Sequence, residues 1–202
     1  MPFIQNNKAR FLIDEKPVDP IEFGNWRTNI INRNAGTPRK DDLSFVIFDT
    51  NLVKSMLYMA SSDGKYLVAR FICDDKGTNL RAALCIVEYG SQTIIGNQII
   101  YDKTNPLGTD FLQLSGNFIQ RNIHNQFTFE VYGIAHTVEK MREWIKRRTS
   151  ASFKLWFGLS PNTNNKIRTT VVYSSVGFHG KFVDEDDDLW DHGTGCCPIP
   201  QP

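Results

Sequence analysis

Hydrophobic and polar positions along this 202-residue chain fall into one order of elements that occurs twice. From Asn51 to Tyr89 a helical stripe precedes an apolar strand, a polar turn and a second apolar strand. The same order returns from Thr137 to Ser175. In the helical parts, Val53, Met56, Met59 and Ala60 match Val138, Met141, Trp144 and Ile145. In the first strands, Leu67, Ala69, Phe71 and Cys73 match Phe153, Leu155, Phe157 and Leu159. In the second strands, Leu80, Ala82, Leu84 and Ile86 match Ile167, Thr169, Val171 and Tyr173, which sets Arg81 on Arg168. The spacing between copies grows by one residue at each connection, where insertions collect. Strand parity survives, so each strand keeps one face inward in both copies. Any two α+β stretches slid past one another can also produce such matches. Two units are too few for a solenoid. The expected fold is therefore α+β: internally duplicated helix–β-hairpin units, about 49–90 and 134–176, forming a mainly antiparallel joint sheet with helices packed on it.

The flanking segments divide the chain further. Residues 1–48 read as an N-terminal helix and lead-in, 49–182 as the duplicated core, and 183–202 as an acidic and Cys/Pro tail. Asp19-Pro20 is a helix start, and Phe23, Trp26 and Ile30 follow at helical spacing. Asp49 or Thr50 can cap the first repeat helix. Asp74 to Asn79 is turn chemistry between strands Lys65–Cys73 and Leu80–Tyr89. Both faces of these strands are largely apolar, which predicts central positions with cover on both sides. Thr93 to Tyr101 is a further strand. Phe111 to Ile119, with Gly116 inside it, fits either helix or strand. Gln126 to Tyr132 alternates, with Phe127, Phe129 and Val131 on one side. Val138 to Arg148 is the clearest helix, and its basic end suits the helix dipole.

Composition removes several function classes. Lys plus Arg is 23 against 22 Asp plus Glu, a formal charge of +1. Nothing in that balance argues for nucleic acid or an anionic membrane. No run of about 18 apolar residues exists for a membrane helix. Met1 to Arg10 lacks the pattern of a signal peptide, so the expected location is cytoplasmic, with signal-independent export left open. The expected hairpin places Cys73 opposite Leu80 rather than Cys85, too far for a disulfide. No Cys-x-x-C pair is present for zinc.

Three stretches together carry a resemblance: Glu-Phe-Gly-Asn-Trp-Arg-Thr-Asn around Trp26, the helix–strand–turn–strand from Asn51 to Val87, and the closing Trp-Asp-His-Gly-Thr-Gly-Cys-Cys-Pro. This order resembles a group of uncharacterised small α+β proteins common in Bacteroidota, which often close on a Cys-Pro-Pro segment. The resemblance implies the fold class and a bacterial origin. It carries no activity and no functional residue. Here the closing segment reads Cys-Cys-Pro-Ile-Pro instead.

Candidate chemistry is sparse. His192, with Cys196 and Cys197 close by, could hold a soft metal or form a nucleophile–base pair. The plainer reading is a tail of reactive residue types without the fixed geometry catalysis needs. His124, His136 and His179 are scattered and read as ordinary surface or turn histidines. Asp74-Asp75 lacks the acidic ladder of a calcium loop. Lys146 to Arg148 reads as a helix end rather than a phosphate site. Asp184 to Asp188 reads as a solvated link. No phosphate loop, dinucleotide fingerprint or nucleophile elbow is present. The structural inventory is rich by contrast, with 14 Phe and duplicated hairpins. The expectation is a non-enzymatic structural or protein–protein interaction protein without a cofactor, working through sheet edges and the tail. Asp186, Asp187, Asp188, Leu189 and Trp190 are its candidate contact residues, and its partner is another protein or a second copy. The alternatives are a small-ligand domain using the cleft between the halves, or an enzyme using His192 or His136.

Overall fold

Short polar side chains at loop and strand ends start three of the helices. Asp19 Oδ1 accepts from the Ile21 and Glu22 amides at 2.8 and 3.2 Å. Asp49 Oδ1 accepts from Asn51 and Leu52 at 2.9 and 3.1 Å. Thr137 Oγ1 accepts from Lys140 at 3.3 Å. Each satisfies amides that the first helical turn leaves without intrahelical partners. The computed structural model describes residues 16–37, 42, 45–61, 64–88, 94–122, 131–161, 167–175, 190–191 and 194–198. Its helices are α1 (Pro20–Asn34), α2 (Thr50–Met59), α3 (Phe111–Asn122) and α4 (Val138–Lys146). Its strands are β1 (Lys16–Pro17), β2 (Phe45–Asp49), β3 (Lys65–Ile72), β4 (Arg81–Glu88), β5 (Ile94–Tyr101), β6 (Val131–Thr137), β7 (Ser152–Pro161), β8 (Ile167–Ser175), β9 (Trp190–Asp191) and β10 (Thr194–Pro198).

The α+β class and the antiparallel pairing hold, but the strands form two sheets rather than one joint sheet. The first runs β1-β9-β8-β7-β2 and the second β10-β6-β3-β4-β5. The reason is cover. Both faces of β3 and β4 are buried, as is β7 from Phe153 to Ser160, and the four described helices cannot roof both faces of a ten-stranded sheet. Turning the two sheets inward against each other roofs one face of each. Phe48, Phe71, Phe153, Phe157, Leu84 and Tyr173 meet there, and Val53 and Met56 of α2 join Met141 and Trp144 of α4 in the same core. On the outer face of the first sheet, α1 lays Phe23 and Trp26 on Trp156 and Val172. On the outer face of the second, Phe111 and Leu114 of α3 cover Ile72 and Ala83.

The order strand, helix, hairpin occurs twice, as β2-α2-β3-β4 and β6-α4-β7-β8, and the first strands are exchanged. β2 pairs with β7, and β6 pairs with β3. The registers agree: Phe48 stands opposite Phe153 as His136 stands opposite Leu67. Gly133 permits the close approach of β6 to β3, since a Cβ there would lie 2.2 Å from the Ala69 carbonyl oxygen. The expected match of Arg81 with Arg168 is not kept in space. Arg81 faces Ile72, whereas Arg168 faces Ser160, two residues further along its hairpin than the equivalent position, Thr170 opposite Gly158. A shift of two residues leaves strand parity intact, so the hydrophobic pattern could not reveal it.

Candidate interaction surface

The described residues bring no chemical cluster together. No group of three His, Cys, Asp or Glu side chains that could hold a metal occurs among them. His136 lies fully buried on β6, its ring edge-to-face with Tyr173 at 5.1 Å, inside the core between the sheets. A substrate has no route to it without opening that core. Asp186, Asp187, Asp188, Leu189 and His192, with His124 and His179, lie outside the described residues. The tail segment is not separate from the sheets: Trp190 pairs with Tyr173 and Pro17 in the first sheet, and Cys196 pairs with Gly133 in the second. Cys197 lies in the same strand, β10. Cys73 and Cys85 are buried thiols not joined in a disulfide, and Cys85 stands opposite Val68.

Two polar clusters serve the fold. Arg27 of α1 stacks on the Trp156 ring at 4.3 Å, and Lys154 Nζ lies 5.2 Å from the same ring. Burial lowers the pKa of Arg27. Burial, and then the charge of Arg27, lowers that of Lys154. Their aliphatic stems and the Trp156 ring fasten α1 to the first sheet. At the far edge, the Lys103 amide donates to the Ile47 carbonyl at 2.7 Å. Its ammonium reaches Ser152 Oγ at 2.7 Å and Asp49 at 3.2 Å. The Leu52 amide first, then the side-chain bond from Lys103, the Asn51 amide and the charge of Lys103, together outweigh the opposing effect of desolvation and hold the Asp49 carboxyl below its ordinary pKa. This knot ties the end of β5 to β2 and so joins the two sheets.

Among the described residues, an open groove lies beside that knot. A groove of about 410 Å³ runs between α2 and β5, lined by Leu52, Ser55, Met56 and Met59 on one side and Gln98, Ile99, Ile100 and Tyr101 on the other. Leu52 and Met59 stand one helical turn before and one after Ser55 along a single stripe, and they are 58% and 65% exposed. Tyr58, next to that stripe, is 58% exposed. Large apolar side chains at such exposure, contiguous with an open groove, form a continuous apolar patch rather than scattered exceptions. None of the lining residues is charged at neutral pH. The Tyr101 hydroxyl donates to the Thr109 carbonyl at 2.7 Å, and burial, with the nearby Asp110 charge, raises its pKa. The groove therefore offers shape and apolar area, with the Ser55 and Tyr101 hydroxyls and the Gln98 amide as its polar side-chain groups. It lies between α2 of the first unit and β5, the strand that follows that unit, not between the two units.

The strand on its far side is an edge. β5 ends the second sheet. A bulge lies between its pairings Cys85–Ile99 and Val87–Ile94, and Gly96 within it has φ 72°. The bulge blunts the first half of the strand and leaves Ile99–Tyr101 regular. Neither a family model, a curated protein nor a solved structure matches the chain. The reading of this surface therefore rests on its own residues. The sequence-based expectation of contacts through sheet edges named neither β5 nor α2. The signal was available in Leu52, Ser55 and Met59, which share a helix face with no charge on it.

Proposed function

We propose that this protein is a non-enzymatic interaction and assembly protein, and that it binds another polypeptide through the β5 edge and the α2 stripe. The uncharged groove flanked by exposed Leu52 and Met59 carries this reading. Burying a large apolar side chain from such a position contributes about 1.5–3 kcal/mol. A few such side chains around a strand edge are enough for a specific complex. The C-terminal contact residues from Asp186 to Trp190 and the kinship with Bacteroidota proteins belong to the same proposal as secondary parts. A small apolar ligand is the second reading, favoured by the groove's volume.

Ser55 is exposed and sits in the middle of the groove wall, so Ser55→Arg places a charge there without disturbing the core. Complexes of the tagged full chain are captured natively and then rebuilt from purified components. The wild type is expected to form a stoichiometric complex with itself or another protein. The folded Ser55→Arg chain should bind it about tenfold more weakly or worse, a loss of about 1.4 kcal/mol. A variant that keeps every complex of the wild type removes the proposal.

A further inference from the structure

Among the described residues, one level of the first sheet reaches a strand that the corresponding edge of the second sheet lacks. In the first sheet one level runs Val46, Leu155, Tyr173, Trp190, Pro17. The equivalent level of the second runs Ile134, Ala69, Leu84, Ile100, and there it stops among the described residues. Ile100 thus stands where Trp190 stands, and the position beyond it corresponds to Pro17 of β1. The fold places an extended, antiparallel segment at that position in one half. In the other half β5, the strand at that edge, lines the α2–β5 groove with Gln98 to Tyr101.

We propose that a second copy of this chain fills the open position, through antiparallel pairing of Ile99–Tyr101 with the same three residues of its partner about a twofold axis at Ile100. The proposal rests on the reading of this surface as an interaction surface and names the partner. Three observations favour a second copy. First, the face parity is self-complementary. Ile100 packs toward the core between the sheets, while Ile99 and Tyr101 pack on the outer face. A register centred on Ile100 sets Ile100 against the partner's Ile100 and Ile99 against the partner's Tyr101, so inner meets inner and outer meets outer. Second, the groove walls and Ile94–Tyr101 carry no Lys, Arg, Asp or Glu. Two copies therefore meet without like-charge repulsion, and the usual protection of an edge by charge is missing here. Third, the other edges are already guarded. β1 is two residues long and ends in Pro17, the Ile47 carbonyl of β2 is taken by Lys103, and β10 ends in Pro198. The twofold pairing also brings the Leu52–Met59 stripes of both copies to the same side of the joined sheets. An isologous contact of this kind closes on itself as a dimer and does not propagate.

The test uses the full chain. Directly opposed residues on antiparallel strands have Cα atoms about 4.5–5.5 Å apart, within disulfide range. Ile100→Cys under mild oxidation is expected to give a covalent dimer whose peptide map shows a link between the two introduced cysteines. Leu112→Cys, 81% exposed on α3, should give none. Sedimentation should show twice the chain mass for the wild type. The double variant Leu52→Glu/Met59→Glu changes only exposed side chains and should be folded and monomeric. A wild type that stays monomeric at its highest monodisperse concentration overturns the proposal. So does a dimer that the double variant leaves intact and Ile100→Cys fails to link. A monomeric wild type that binds a different protein, and loses it on Ser55→Arg, sinks the second-copy inference while leaving the interaction reading in place.

Discussion

Asp74 shows how a single carboxylate builds the turn between β3 and β4. Its Oδ1 accepts from the Lys76 and Thr78 amides at 3.1 and 2.7 Å, and its Oδ2 from Thr78 Oγ1 and Asn79 Nδ2, both at 2.7 Å. Gly77 and Asn79 take the left-handed conformations, φ 76° and 54°, that close the loop. All four acceptor positions of the carboxylate point at the loop, so the turn reading is correct and the side chain has no capacity left for a calcium ion. Burial pushes the Asp74 pKa up, but the bonds from Thr78, Asn79 and Lys76 outweigh it and hold the carboxyl below its ordinary value. The folded state therefore favours the ionised form. That stabilisation is complete above the unfolded value of about 3.9 and is lost as pH falls through the lower folded value. Asp74→Ala is expected to cost about 1–3 kcal/mol near neutral pH. Urea unfolding of both chains over a pH series checks this. The gap between them should narrow in acid, where the wild type loses the same charge.

At the scale of elements, α2 and α4 complete each other's ends. Arg142 of α4 donates to the Leu57 carbonyl at 2.6 and 2.9 Å and to the Ala60 carbonyl, which α2 leaves without intrahelical partners. Lys54 of α2 donates to the Arg148 carbonyl just beyond α4 at 2.8 Å. Arg142→Met keeps the aliphatic stem and removes the guanidinium, at an expected cost of about 1.5–3 kcal/mol for the charged bonds. Hydrogen exchange should then quicken in the last turn of α2, from Met56 to Ala60, before it does so in β3. Uniform acceleration would show the bonds to be energetically idle. What was legible beforehand follows the same physics. The α4 stripe of Val138, Met141 and Ile145 was plain because all three are fully buried on one face. Asp19 and Asp49 were plain because capping is local. The helix α3 was ambiguous because Gly116 interrupts a stripe of Phe111, Leu114 and Phe118 that only tertiary contact with Ile72 and Phe71 makes sense of. Strands β9 and β10 were not legible at all. Trp-Asp and Thr-Gly-Cys-Cys-Pro have no alternation, and their pairing is set by the neighbours β8 and β6. The groove was hidden for a related reason: the sequence pattern sets Met59 on Trp144, whereas the caps Asp49 and Thr137 align buried Met56 with Trp144 and leave Met59 exposed.

For the whole molecule, the exchange of β2 and β6 decides how the two units depend on each other. Neither helix–hairpin unit pairs with the strand that directly precedes its own helix; each takes that strand from the other unit. The core is also shared, since Trp144 of α4 packs on Phe153 while Met141 and Ile145 join Leu67 and Leu84 in one cluster. Opening the first unit would therefore strip β6 of its neighbour β3, and opening the second would strip β2 of β7. Each event exposes apolar area belonging to the other half, which couples them into one cooperative step. The chain carries independent reporters for this. Trp144 and Trp156 lie in the second unit, and buried Cys73 and Cys85 lie in the first. Along a urea series, tryptophan fluorescence and the thiol reactivity of Cys73 and Cys85, read by peptide mapping, are expected to give superimposable transitions with one midpoint. Two separated midpoints would mean that a unit holds together without the exchanged strand, and that β2 and β6 are clasps between finished domains rather than parts of a single core.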